Sequence, residues 1–175
     1  MRLASSVRLG ADCALRAVVT VALYTVAPGA HDAACGILAA VHSVTAFVPR
    51  SRERCWQVFV DAAKLPLWVP GLRRAQVLAM ERGLPSEIHF EFSSSRVYTL
   101  VYSYDADKRE VRWQPKLGKR DGVTGSVRFE GSGDGTQVVY ALEHGEGRSP
   151  SERELGDAQK LVDAFVTWMR DDRTV

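Results

Sequence analysis

Between Val41 and Arg173 the spacing of apolar residues changes period three times, and each change marks an element. Val41 to Val48 alternates, which predicts a strand, and Pro49 ends it. Cys55, Trp56, Phe59, Val60 and Ala63 then recur at helical spacing, so a helix is predicted over 52–63 with Ser51 as its cap. The stretch from Lys64 to Gly71 carries Pro66 and Pro70, which excludes one regular helix and predicts an apolar corner around Trp68. From there to Gly147 the pattern is that of strands separated by turn residues, over 74–81, 87–92, 97–104, 110–114, 123–130 and 137–144. In 87–92 the alternation is strict and puts Ile88, Phe90 and Phe92 on one face. In 97–104 it is not: the inward face is either Tyr98, Leu100 and Tyr102 or Val97, Thr99 and Val101.

The last stretch, Ser149 to Arg173, reads as one long amphipathic helix. Ser149, Pro150 and Glu152 have the form of a capping box with proline at the first helical position. Leu155, Ala158, Val162, Phe165 and Met169 make one stripe, flanked by Leu161, Val166 and Trp168. Seven strands at ~4.8 Å spacing span roughly 30 Å, whereas a helix with its side chains is ~10–12 Å wide. A flat sheet would leave most of its apolar face wet, so the sheet must curl around the helix. The expected fold is α+β: a seven-stranded curved antiparallel sheet wrapped around a long C-terminal helix, with a short helical pair after the first strand.

Composition narrows the partners. The chain has 175 residues, room for one domain with a substantial core. With 23 basic against 21 acidic residues and no Lys/Arg-rich run, charge gives no reason to expect a nucleic-acid partner. No apolar run reaches the ~18–20 residues of an integral membrane segment. Cys13, Cys35 and Cys55 are odd in number and form no C-x-x-C pair, which reads as free thiols in a reducing, cytoplasmic compartment. Residues 1–40 stand apart from the domain at 41–173. Arg2, Arg8 and Arg16 precede an apolar run from Ala17 to Ala27. Three readings fit: a secretory signal, which would mean export; an extension without function; or a short helix packed on the domain.

Candidate chemistry is sparse. The four histidines, His31, His42, His89 and His144, show no metal-ligand spacing. His89 lies between Glu87 and Glu91 on a polar strand face. His144 is in phase with Val138, Tyr140 and Leu142, at the end of the sheet, where an imidazole could serve as acid or base or simply be hydrogen-bonded. Glu154 falls inside the apolar stripe of the last helix, either pointing into a cavity or favouring the positive helix N-terminus. His144 and Glu154 are the two weak catalytic candidates. No phosphate loop, Ser/His/Asp set or dinucleotide fingerprint is present, and no cofactor is called for.

The motifs carry a resemblance. Phe47-Val48-Pro49 leading into Cys55-Trp56-Gln57-Val58-Phe59-Val60-Asp61, and Leu65-Pro66-Leu67-Trp68-Val69-Pro70-Gly71, are similar to the START-like, or SRPBCC, superfamily. So are Tyr102-Ser103-Tyr104-Asp105, Val111-Arg112-Trp113, Gly125-Ser126-Val127-Arg128-Phe129 and Thr136-Gln137-Val138-Val139-Tyr140. Within it the chain resembles the polyketide cyclase/dehydrase-type and coenzyme Q-binding lipid-transport branches over about 41–172. The resemblance implies a Bet v 1-like helix-grip fold holding a hydrophobic small molecule between sheet and helix. Residues expected to line that space are Phe59, Trp68, Leu72, Phe90, Phe92, Tyr98, Tyr102, Trp113, Phe129, Tyr140, Ala158, Leu161, Val162 and Phe165. The function expected first is a binding or carrier module for a lipid, quinone or polyketide-like ligand. The alternatives are a cyclase, dehydratase or hydrolase using the same cavity, and a cochaperone-like interaction module.

Overall fold

The computed structural model describes residues 42–117, 122–149, 153 and 157–171. The readings of residues 1–40, the candidate Glu154, Leu155 of the stripe, and Pro150 and Glu152 of the capping box lie outside the described residues. The chain runs β1 (His42–Val48), α1 (Arg52–Val60), α2 (Leu65–Trp68), then β2 (Leu72–Glu81), β3 (Leu84–Phe92), β4 (Val97–Asp105), β5 (Glu110–Pro115), β6 (Val123–Ser132) and β7 (Gly135–His144), and ends in α3 (Ala158–Asp171). The seven strands form one antiparallel sheet in the order β1-β7-β6-β5-β4-β3-β2. The expected curved sheet, long C-terminal helix and helical pair are all present. Among the described residues no helix is long and apolar enough to cross a membrane.

Local chemistry sets the element ends. The hydroxyl of Ser51 accepts the backbone N–H of Arg54, which starts α1. Asp61 stops it: its carboxylate accepts the N–H of Ala63 and its carbonyl that of Lys64, turning the chain into α2 three residues before the predicted helix end. Between β2 and β3, Arg82 and Gly83 both have positive φ, 50° and 80°, the pair of conformations a two-residue hairpin needs. The last helix is shorter than its amphipathic pattern. Asp157 is not helical; its Oδ1 accepts from the backbone N–H of Gln159 at 2.8 Å and of Lys160 at 3.1 Å, a new N-cap within what read as one helix from Ser149. α3 therefore has 14 residues and is ~21 Å long rather than roughly 34 Å.

Side-chain direction follows the pleat. Leu100 is buried and Val97 is 61% exposed, so the Tyr98, Leu100 and Tyr102 face of β4 points inward. Val111 and Trp113 of β5, Val127 and Phe129 of β6, and Val138, Tyr140 and Leu142 of β7 join it. Val162, Phe165, Val166 and Met169 of α3 close the core from the other side. α3 packs mainly along β1 and touches α2 and β7. β2 is one of the two edge strands, and three register irregularities against β3 together with Arg73, Arg74 and Glu81 blunt it against further strand pairing.

One glycine is fixed by this packing. Gly125 pairs with Trp113 on one side and Leu142 on the other. A Cβ there would stand 2.5 Å from Trp113 Cζ2 and 2.6 Å from the carbonyl oxygen of Ala141. The carbonyl is held in the β6–β7 ladder and cannot retreat. Gly125→Ala is expected to destabilise the protein by about 1–3 kcal/mol in urea unfolding. Gly131→Ala, with nothing within 4 Å of its added methyl, should stay within about 0.5 kcal/mol of wild type.

Candidate functional site: an aromatic cavity between sheet and helix

Two groups of aromatic rings meet at Phe59 of α1. On one side its ring contacts Phe129 (5.6 Å between centroids) and Phe165 (6.0 Å), which also contact each other and form solid core. On the other it contacts Trp113 at 6.2 Å, which leads through Tyr102, Phe90 and Tyr98 to Phe92. Trp68 of α2 sits over the junction, 5.6 Å from Phe59 and 5.0 Å from Phe165. Phe129 and Phe165 of the first group are buried core. The second encloses a cavity of about 90 Å³, bounded by β3–β7, α1, α2 and Leu161 of α3. Its wall is aromatic and aliphatic, and Arg148 is the charged residue in it.

Tyr98, Leu100, Val123 and Arg148 also line a wider adjoining hollow of about 510 Å³. Arg96, Lys116 and Leu117 border that hollow as well, with Lys116 paired to Glu87. A third hollow, about 540 Å³, lies on the outer face of β4–β7 and is lined by Ser103, Arg112, Gln114, Thr124, Ser126 and Glu143. It is larger, but its lining is the solvated side of the sheet and is crossed by the Arg112–Glu110 ion pair at 2.7 Å. Ligand sites are typically concave and largely apolar, which favours the inner space.

Known structures share this architecture. A START superfamily protein from Mycobacterium smegmatis superposes with a TM-score of 0.64 at 18% identity, covering 74% of this chain and 97% of that one. The fold is the START/SRPBCC helix grip. A protein from Thermus thermophilus matches equally well in shape (TM-score 0.64, 16% identity, 77% and 99% covered). The Zhui aromatase/cyclase from Streptomyces sp. R1128 shares the helix grip at a TM-score of 0.60 and 15% identity, with 74% and 93% covered. No protein-family profile matches the chain. No curated protein matches it in sequence either.

Within this helix grip, the residues expected at the ligand divide. Phe59, Trp68, Phe90, Phe92, Tyr98, Tyr102, Trp113, Tyr140 and Leu161 line the cavity. Leu72, Phe129, Ala158, Val162 and Phe165 do not; each is at most 6% exposed and packed in the core. Ala158 was expected to line the space, but α3 starts there at the cap of Asp157 and Ala158 is buried packing. Tyr104 and Arg148 line the cavity without having been anticipated. Tyr104 is in phase with Tyr98 and Tyr102, a signal that became readable once the inward face of β4 was known. Arg148 follows the last strand in a Gly-rich turn and left no periodic trace.

His144 is not on the cavity wall, but it meets a residue that is. Its Nδ1 lies 3.1 Å from Nη1 of Arg148. A guanidinium only donates, so in this contact Nδ1 is the acceptor. His89 is remote from both: its Nδ1 is 3.0 Å from Oγ1 of Thr99, its cross-strand neighbour on β4. Among the described residues no three His, Cys, Asp or Glu side chains come together as a metal site.

The phenols dominate the electrostatics. Burial pushes Tyr98 up to about 12, with the charge of Arg148 pulling partly the other way. Burial also raises Tyr102 well above the ordinary phenol value, and the neighbouring phenols Tyr104, Tyr140 and Tyr98 add to the rise. Tyr140 is raised by burial and then by Tyr98, and Tyr104 by burial. Tyr104 donates its hydroxyl to the carbonyl of Pro85 at 2.6 Å. All four are therefore neutral donors at physiological pH. Because the folded values lie above the unfolded one of ~10, the protons these phenols hold stabilise the fold fully below about pH 10, and that stability is lost as pH rises through the folded values. At about pH 11 the native protein should show phenolate absorbance from at most one of its five tyrosines. The chain in concentrated urea should show all five titrating near ~10.

Proposed function

We propose that this protein binds and carries a hydrophobic small molecule, a lipid, quinone or polyketide-like compound, in the cavity between sheet and α3. The observation that carries this reading is the aromatic cavity itself, with Phe59 and Trp68 on one side of it and Arg148 as its charged lining residue. The enclosed volume of about 90 Å³ is below the ~300–1,000 Å³ of drug-sized pockets. The ligand of this reading therefore extends into the adjoining hollow as well, with its apolar end inside and its remainder beyond Tyr98. The cytoplasm is the compartment this reading assigns, supported by the buried free thiol of Cys55.

One contact favours a second reading. Arg148 of the cavity wall is bonded to His144, which puts an imidazole one contact away from the cavity, a polar pair that an enzyme of cyclase, dehydratase or hydrolase type could use. The Zhui aromatase/cyclase gives that reading a precedent in fold.

Solvent extraction of purified protein followed by mass spectrometry tests both. A carrier is expected to release an apolar compound in near-stoichiometric amount and to rebind it unchanged. A compound returned with altered mass after incubation supports the enzyme. A protein that retains nothing and binds no apolar compound added back rules out both.

A further inference from the structure

The two edges of the sheet are finished differently. β1 has α3 packed along it. β2 pairs with β3 alone, and among the described residues no strand pairs with its other side. Of the seven large apolar side chains that stand exposed among the described residues, three fall within four positions of this strand: Val77 at 37%, Leu78 at 50% and Met80 at 58%. Edge strands are commonly guarded by a lysine or another charge. Here the six residues from Ala75 to Met80 carry no charge, proline or glycine. A segment of that kind, left uncovered on an edge, invites another strand.

The guarding charges stand at the ends. Arg73 and Arg74 open the strand and Glu81 closes it. Two of them make only slack contacts within the chain: Arg74 is 3.8 Å from Glu91, and Glu81 is 4.0 Å from Arg82, all at the surface. Such pairs contribute little. A strand with cations at one end and an anion at the other repels a copy of itself laid parallel and attracts one laid antiparallel. In the antiparallel arrangement a two-fold axis passes near Val77 and Leu78, and the two arginines of each copy come beside Glu81 of its partner.

The breaks in register fit the same arrangement. Arg73 and Leu78 have no partner on β3 and stand where the ladder is irregular. An irregular edge disfavours a long backbone ladder with an arbitrary strand. It leaves the side chain of Leu78 half-exposed at the middle of the edge, between Val77 and Met80. Side-chain packing and end charges, rather than a continuous ladder, would hold a partner there.

We propose that β2 is the contact surface of a symmetric homodimer, in which two copies meet edge to edge and antiparallel through Val77, Leu78 and Met80, with Arg73 and Arg74 facing Glu81 at each end. This inference is independent of what the cavity holds. A contact one strand long falls short of the ~1,200–2,000 Å² that standard interfaces bury, so the dimer is expected to dissociate in the micromolar range.

Sedimentation velocity on the full-length protein across that range tests the proposal. Wild type is expected to pass from monomer to dimer. Leu78→Lys/Met80→Lys sets like charges against each other near the axis and is expected to raise the dissociation constant by about tenfold or more. The end charges are tested by two further variants, Arg73→Glu/Arg74→Glu and Glu81→Lys. Each alone is expected to dimerise more weakly than wild type. An equimolar mixture of the two is expected to recover the dimer, because an acidic strand then meets a basic one. A wild type that stays monomeric throughout overturns the proposal. So does a dimer that all three variants leave intact, and so does a mixture no stronger than its components. One measurement needs no variant: amide hydrogen exchange over 75–80 in wild type is expected to slow as concentration rises through the dissociation constant, while exchange in β1 does not change. Exchange in β2 that is the same at both ends of the range overturns the proposed surface.

Discussion

The structure depends on where the ring of Phe59 sits. It projects from a nine-residue helix into the concave side of the sheet and touches Trp68, Trp113, Phe129 and Phe165. A curled sheet and one helix cannot fill the space between them, because the sheet is several times wider than the helix. Phe59 and Trp68 fill one half from the side. With that half solid, α3 has a surface to rest on, and the other half stays hollow. The position of the cavity thus follows from the plug supplied by α1 and α2.

α1 is itself held in place by polar contacts with the turn joining β4 and β5. Arg109 pairs with Glu53 at 2.6 Å and lies over the ring of Trp56, while Arg52 donates to the carbonyl of Asp107. On the opposite side Thr136 of β7 donates to the carbonyl of Arg50 and sits against the buried thiol of Cys55. The exposed ion pair contributes little on its own. Together these contacts hold the first half of the helix from two sides, which limits how far its aromatic side chain can swing.

Much of this was legible in the sequence, and for identifiable reasons. Period-2 alternation on β3, β5, β6 and β7 told inside from outside because those strands have one dry face. β4 was ambiguous because both of its faces carry apolar residues, and only the neighbouring strands decide between them. The break at Asp157 was hidden because its side chain falls on the polar side of the helical wheel, where an N-cap and a surface residue look alike. The candidate site was legible as a set of aromatic residues but not as a lining. Phe129 and Tyr140 have the same signature in sequence, and they differ only in which side of Phe59 they occupy.

The strand order has a kinetic meaning. β2 to β7 form a meander in which each strand pairs with the next through a short connection. β1 is the exception: it precedes β2 in the chain but pairs with β7 at the far edge, His42 opposite Leu142. Closing that pair orders about a hundred residues of intervening chain at once, a cost in loop entropy that the local hairpins do not bear. The meander can assemble first, as an open ribbon with its aromatic face wet. Docking of β1, α1 and α3 then shuts that face in a late, cooperative step, so the cavity comes into existence only when the two ends of the domain have met.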